Sequence, residues 1–377
     1  MPVKVRRRKN CICRGANNVW CPVHGDETAR DNSSKTRHLF RGADKSRWNF
    51  WEEGLSSSLL SLFLSCKEQF RLMIVEGWTN DRTPLSLAFG TCMHWCLEQA
   101  YAAREAPSQK GCRRLVRDFE KLWKKERPNA PKSQLEIQEM VYGLAEAVLP
   151  TYFVRWAGDF KGGKYPSGHN TSKIRKWEGL ETRFKIKYTY PDGKSTWICG
   201  TRDGLFRDGE RRLRLFDTKC RSVINEDDTI DTLPSDLQQM LYNWATLEQT
   251  GEAPAGSLMN IVRRPGHRRG KEESLREFFA RVRKDVEKPD RWDHYFIRIE
   301  MDLTKAEILE WKEKVLDPLM EDFRGWWEGR HPHYMNPKSL ISKYGRCGMF
   351  NAIVFNNFSG LSRKKAGTIL NYQTEKA

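Results

Sequence analysis

Asp217, Thr218 and Lys219 form an Asp-x-Lys triplet at the end of the run Leu213-Arg214-Leu215-Phe216-Asp217-Thr218-Lys219. A second run, Gly200-Thr201-Arg202-Asp203-Gly204-Leu205-Phe206, precedes it, and the polar turn Arg207-Asp208-Gly209-Glu210 joins the two. Both runs read as strands. Side chains on a strand alternate with period two, so Asp217 and Lys219 point the same way. A tight hairpin brings Asp203 beside them. Two carboxylates can hold a hard divalent cation, and a neighbouring lysine can orient or deprotonate a water or steady a phosphate. That set suits metal-assisted cleavage of a phosphodiester. Asp-x-Lys alone is also common as a solvated ion pair, so its neighbours decide.

Two helical segments flank the strands. Upstream, Gly90, His94 and Glu98 recur every four residues in a stretch that begins near Pro84, and so share one helix face. His94 can offer a ring nitrogen to a metal, Gly90 leaves room, and Glu98 can orient a water or a ligand; a buried histidine bonded to its i+4 glutamate is the plainer alternative. Downstream, Leu237, Met240, Leu241 and Trp244 make a helical apolar stripe that Gly251 suits as an end. Gln238 and Tyr242 lie one turn apart on it. Ser235 three residues before Gln238 also reads as a capping box, which would turn the Gln side chain back onto its own helix.

Gly-x-x-x-His-x-x-x-Glu on a helix, Gly-x-x-Asp and Asp-x-Lys on strands, then Gln-x-x-x-Tyr on a helix resembles the RecB-like branch of the PD-(D/E)XK nuclease superfamily. That branch includes CRISPR-associated adaptation nucleases and phage-type exonucleases. The run from Leu55 to Cys66 resembles its opening helix, and the resemblance covers residues 55–355. It implies an α/β fold with a restriction-endonuclease-like core, a mixed central sheet flanked by helices. It implies Mg²⁺ or Mn²⁺ held by His94, Asp203 and Asp217, with Lys219 as catalytic lysine and Glu98, Gln238 and Tyr242 in support. Some relatives carry a four-cysteine iron–sulfur cluster. Here only Cys66 and Cys347 fit its positions, and two thiolates cannot hold it, so no cluster is expected.

The 377 residues carry 66 Lys and Arg against 49 Asp and Glu, a formal charge of +17. That imbalance favours a polyanionic partner, nucleic acid first. It is spread over residues 4–9, 173–176 and 263–271. Trp326 and Trp327 read as packing or as a stacking platform for bases. No run is long and apolar enough to span a bilayer, and no apolar segment follows the basic N-terminus, so the expectation is no membrane and a cytoplasmic protein, in the host cytoplasm if phage-encoded. Cysteines are then reduced and their clustering points to metal. Cys11, Cys13, Cys21 and His24 make a compact ligand set for one structural zinc.

Along the chain this reads as a basic arm and zinc knuckle (1–25), a linker (26–54), a nuclease domain (55–358) and a polar tail (359–377). Leu180, Thr182, Phe184, Ile186 and Tyr188 alternate with Glu181, Arg183, Lys185 and Lys187, a half-exposed strand with Glu181 on its polar face. Residues 257–262 read as a further strand, 263–291 as a basic insertion, 294–299 as a strand, and 303–327 as helical with a cap at Thr304. The function expected is a divalent-metal-dependent DNA nuclease, as an exonuclease in recombination, repair or phage DNA metabolism, on single- or double-stranded DNA. The alternatives are a non-catalytic nucleic-acid-binding protein that keeps the fold, and a zinc-dependent module whose N-terminal knuckle recruits a protein partner.

Overall fold

The computed structural model describes residues 48–80, 83–165, 173–331, 335–342 and 345–364. The Cys11, Cys13, Cys21 and His24 set lies outside them, as do most of the expected linker and tail. In chain order the main elements are β1 (Trp78–Asn80), α1 (Leu85–Ala103), α2 (Gln109–Glu126), α3 (Lys132–Arg155), β2 (Lys176–Thr189), β3 (Ser195–Arg207), β4 (Leu213–Arg221), α4 (Leu237–Thr250), β5 (Gly256–Arg263), α5 (Leu275–Val286) and β6 (Phe296–Asp302). Five strands form one sheet in the order β2-β3-β4-β5-β6. β3 and β4 run antiparallel, β4 and β5 parallel, and β5 and β6 antiparallel. The parallel pair needs a crossover, which passes through α4. This is the mixed, helix-flanked sheet expected from the sequence.

The chain divides into two compact units. One holds residues 82–186 and 199–312. In it β4 is buried on both faces from Leu213 to Thr218, as a central strand should be. Phe216, Leu258 and Val262 share one apolar core with Phe89 on α1 and Leu144 and Val148 on α3. The other face carries α4, tied down where Asn243 Nδ2 donates to Ser257 Oγ at 2.9 Å. Helix α4 starts at Asp236, whose carboxylate accepts the N–H groups of Gln238 and Gln239, and ends at Gly251 with φ 74°. Ser235 instead donates to Thr232 O at 2.8 Å. The capping box is therefore not made, and the Gln238 side chain is released from that role.

The other unit holds residues 1–81, 187–198 and 313–377. Its described core is an aromatic cluster of Trp48, Phe50, Phe63, Phe70, Phe323 and Trp326. Trp48 and Phe50 are thus packed, and Phe50–Glu53, within the stretch read as linker, is a helical turn capped by Asn49. Trp326 has no exposed surface, so it packs and does not offer a stacking platform. Lys67 pairs with Asp322 at 2.8 Å. Leu361–Arg363, in the stretch read as tail, pairs antiparallel with β1.

Two further boundaries shift. Trp292–Tyr295 is helical and the strand begins at Phe296. The basic insertion contains α5, closed by a capping box between Ser274 and Glu277. Among the described residues no helix is long and apolar enough to cross a membrane.

Candidate active site

The antiparallel register of β3 and β4 pairs Gly204 with Phe216, which sets Asp203 and Asp217 at the same level of the hairpin. Asp217 is buried, with 2% of its surface exposed. Lys219 Nζ lies 2.9 Å from Asp217 Oδ2 and donates to Gln238 Oε1 at 2.8 Å. Gln238 Nε2 in turn donates to Asp217 Oδ1 at 3.0 Å. So Asp217, Lys219 and Gln238 close a ring of polar contacts. Asp203 Oδ2 accepts the Thr218 N–H at 2.7 Å and stands 3.3 Å from His94 Nδ1. The Asp-x-Lys strand, the preceding aspartate, the α1 histidine and the α4 glutamine therefore meet in one place.

Alternation alone puts Glu181 on the polar face of β2, and the structure moves it. Its backbone is left-handed, with φ 46°, a conformation rare for a non-glycine residue inside a strand. There it breaks the two-residue alternation and directs the carboxylate inward. Ligand atoms of His94, Glu181 and Asp203 lie within 4.8 Å of one another. Glu98, one turn after His94, lines the same cavity. Tyr242 lies one turn along α4 from Gln238, and its ring is buried. It is 8% exposed and packs edge-on against Phe184, with ring centroids 5.5 Å apart. Gly200 lies under both rings, where a Cβ would come within 2.6 Å of Phe184. At Gly90 an added Cβ would meet only Cys220 Cβ at 3.7 Å, so contacts with the protein do not demand glycine there.

The electrostatics follow from crowding acids in a dry place. Burial, then the charges of Asp203 and Glu98, push the Glu181 carboxyl up to about 7. Glu98 is raised by burial and by Asp203. Asp217 is pushed up to about 6, by burial first and by Asp203, against the pull of Lys219. Burial acts the same way on Asp203, but His94, the Thr218 N–H and Lys219 outweigh it and hold its pKa below the ordinary value. For His94, burial lowers the ring and Asp203 more than restores it, so its pKa lies above the ordinary value.

These residues fit a divalent cation. The donor set is one imidazole and carboxylates, and the acids are mutually repelling where no cation stands between them. Asp217 is buried, with its Oδ2 2.9 Å from the Lys219 ammonium and its Oδ1 accepting from Gln238 at 3.0 Å. The cavity lined by His94, Glu98, Glu181 and Asp203 has a volume of about 10 Å³, the size that takes one water or small ion.

Two variants test this donor set. His94→Ala and Glu181→Gln should each raise the Mn²⁺ concentration for half-maximal cleavage by about tenfold or more. Mn²⁺ should rescue His94→Ala better than Mg²⁺, because it accepts mixed nitrogen and oxygen ligation more readily. An unchanged metal titration in both variants would remove them from the site. The metal-free protein adds a pH test. The folded pKa of Glu181 is raised, so the folded state holds its proton through a window where the unfolded chain has lost it. Wild type should then lose stability relative to Glu181→Gln as pH rises from about 4.5 to about 7. Parallel melting curves for the two proteins across that range would refute the assignment.

A sequence-family model of the PD-(D/E)XK nuclease superfamily matches residues 54–323. No curated protein matches the chain.

Proposed function

The chain belongs to the PD-(D/E)XK nuclease superfamily, and from that membership we propose that it is a divalent-metal-dependent deoxyribonuclease of the RecB-like branch. It acts as an exonuclease in recombination, repair or phage DNA metabolism. The observation that carries this reading is the cation-sized cavity lined by His94, Glu181 and Asp203, with the Asp217–Lys219–Gln238 ring joined to it where the Thr218 N–H donates to Asp203. No observation favours the non-catalytic alternative, since none of the acidic or basic residues of the motif has been lost.

His94, Glu181, Asp203 and Asp217 would hold Mg²⁺ or Mn²⁺. When bound, such a cation supplies Lewis-acid activation of water and screens charge building at phosphorus. The remaining chemistry belongs to the side chains. Asp217 and Gln238 fix the Lys219 ammonium by contacts at 2.9 and 2.8 Å. Lys219 is raised above its ordinary pKa, because Asp217 and Asp203 outweigh the effect of burial. It therefore enters the reaction protonated, and orients the attacking water and steadies a phosphate oxygen through donated hydrogen bonds. Gln238 holds both partners in register. Glu98, with its raised pKa, orients the water on the α1 side. Tyr242 supports the site by packing beneath β3. Cys11, Cys13, Cys21 and His24, outside the described residues, would bind one zinc and offer a surface to a protein partner.

The test is cleavage by the full chain with Mg²⁺ or Mn²⁺ on end-labelled linear and on circular DNA, single- and double-stranded, with RNA alongside. Loss of linear DNA with circular DNA spared is expected. Cutting of circles would replace exonuclease by endonuclease, and no metal-dependent cleavage of any substrate would sink the reading. Zinc content of the same preparation tests the N-terminal ligand set.

A further inference from the structure

We propose that residues 263–271, at the carboxyl ends of β4 and β5, form a preorganised cationic surface that grips the phosphate backbone of the nucleic-acid substrate next to the catalytic residues. The inference rests on the nuclease reading above.

Position comes from strand register. Lys219 pairs with Ile261 and Arg221 with Arg263 across the parallel β4–β5 ladder. Side chains two residues apart on a strand share a face, so Arg221 continues the row of Asp217 and Lys219. Arg263 stands beside it. Arg221 lies roughly 7 Å beyond Lys219, two residues of strand rise. The chain then leaves the sheet with Arg264 N donating to Arg221 O at 2.8 Å. The stretch that follows, Arg263-Arg264-Pro265-Gly266-His267-Arg268-Arg269-Gly270-Lys271, contains five Lys or Arg residues and no Asp or Glu.

Nearby acids hold this loop and leave three of its five cations outward. Glu273 Oε2 accepts the Gly270 N–H at 2.9 Å, and Glu273 also fixes Arg281 at 2.7 Å. Arg281 Nη2 then donates to the Arg268 carbonyl at 3.0 Å. Asp285, bonded by the Tyr295 hydroxyl at 2.7 Å, stands 3.5 Å from His267 Nε2. Arg268, Arg269 and Lys271 are exposed, and among the described residues none of the three side chains makes an ion pair. Like charges held together repel one another, and a polyanion relieves that repulsion. A loop already fixed loses little further freedom on binding.

The experiment compares the full-length wild type with the triple variant Arg268→Gln/Arg269→Gln/Lys271→Gln. A charge-matched control is Arg113→Gln/Arg114→Gln/Arg117→Gln, on exposed positions of α2. Binding to a short fluorescent DNA duplex is measured in EDTA over a salt series, and cleavage kinetics with Mn²⁺. The loop variant should bind on the order of tenfold more weakly, with a log–log salt slope shallower by about 2 to 3, one unit per lost phosphate contact. Its KM should rise with kcat retained, and its melting temperature should match wild type. The control should keep the wild-type slope. Wild-type affinity and slope in the loop variant would overturn the proposal, as would an equal loss in the control or a wild type that does not bind DNA at low salt. If wild type binds DNA but cleaves nothing, the cleavage reading fails, and the salt slopes still decide this surface.

Discussion

Asp217→Ala and Lys219→Ala are each expected to lower the rate of DNA cleavage on the order of 10³-fold or more, with the protein still folded. Asp217 stands between Lys219 and Gln238, and its removal frees both while taking away a buried carboxylate proposed to hold the cation. Among the described residues Lys219 is the one ammonium that Asp217 and Gln238 both hold, and none of them replaces its donors. The stability half has a sign. The folded pKa of Asp217 is raised to about 6, by burial first. The folded state therefore keeps a proton that the unfolded chain has released, and stability falls as pH rises from about 3.8 to about 6. Above that window the buried charge remains a cost. Asp217→Asn removes it, so at pH 7.5 in EDTA this variant should melt no lower than wild type while its cleavage is lost. Activity near wild type in either alanine variant, at equal metal, would show that this strand does not carry the chemistry. A large drop in melting temperature for Asp217→Asn would show instead that Asp217 is structural.

The residues of this site were legible where chemistry and local periodicity coincide. Asp203, Asp217 and Lys219 sit on strands whose apolar content and turn are plain in the sequence. His94 sits in a stretch that opens near Pro84 with Gly90 and Glu98 at helical spacing, and Gln238 on a helix with a clear stripe and end. Glu181 was not legible, because its role depends on one left-handed backbone angle inside an otherwise regular alternation. No residue type at 181 announces that break; Gly179 two positions earlier is the only local hint of irregularity. The packing of the Tyr242 ring against Phe184, over Gly200, is likewise a tertiary contact that no one-dimensional pattern records. At α4 the sequence pattern points to Ser235 as the cap, and the neighbouring Asp236 is as good an N-cap. Asp236 takes it, and that choice frees Gln238 for the site.

A buried charge behind the site is not legible in the sequence. In Ile297-Arg298-Ile299-Glu300-Met301 apolar and polar residues alternate, which reads as Arg298 on a polar face, yet the structure buries it. A lone arginine there must find a buried anion. It finds Asp159, and neither side chain has exposed surface. Arg298 Nη1 donates to Asp159 Oδ1 at 2.9 Å, and Tyr101 Oη donates to Asp159 Oδ2 at 2.8 Å. Arg298 Nε donates to Asn260 Oδ1 at 3.2 Å, Asn260 Nδ2 to Thr218 Oγ1 at 3.2 Å, and the Thr218 N–H to Asp203. The ion pair is thus joined to the candidate metal ligand through three hydrogen bonds.

Asp159→Ala should therefore destabilise the protein by about 3–5 kcal/mol, because it leaves a guanidinium buried without its counter-ion. The cost is set by the stranded charge more than by the lost attraction. Arg298 packs 3.9 Å over the Trp156 ring, and no route to water is open to a side chain with zero exposure. Removing both charges should cost much less. Asp159→Ala/Arg298→Met replaces the cation with an apolar chain of similar length, and a buried pair exchanged for apolar residues is often close to neutral. The double variant should accordingly regain most of the stability lost in the single one. Urea unfolding of wild type, both single variants and the double variant measures this directly. A single variant that loses less than about 1 kcal/mol, the range of an exposed pair, or a double variant no more stable than Asp159→Ala, would show that the pair is not the buried, mutually dependent unit its geometry describes.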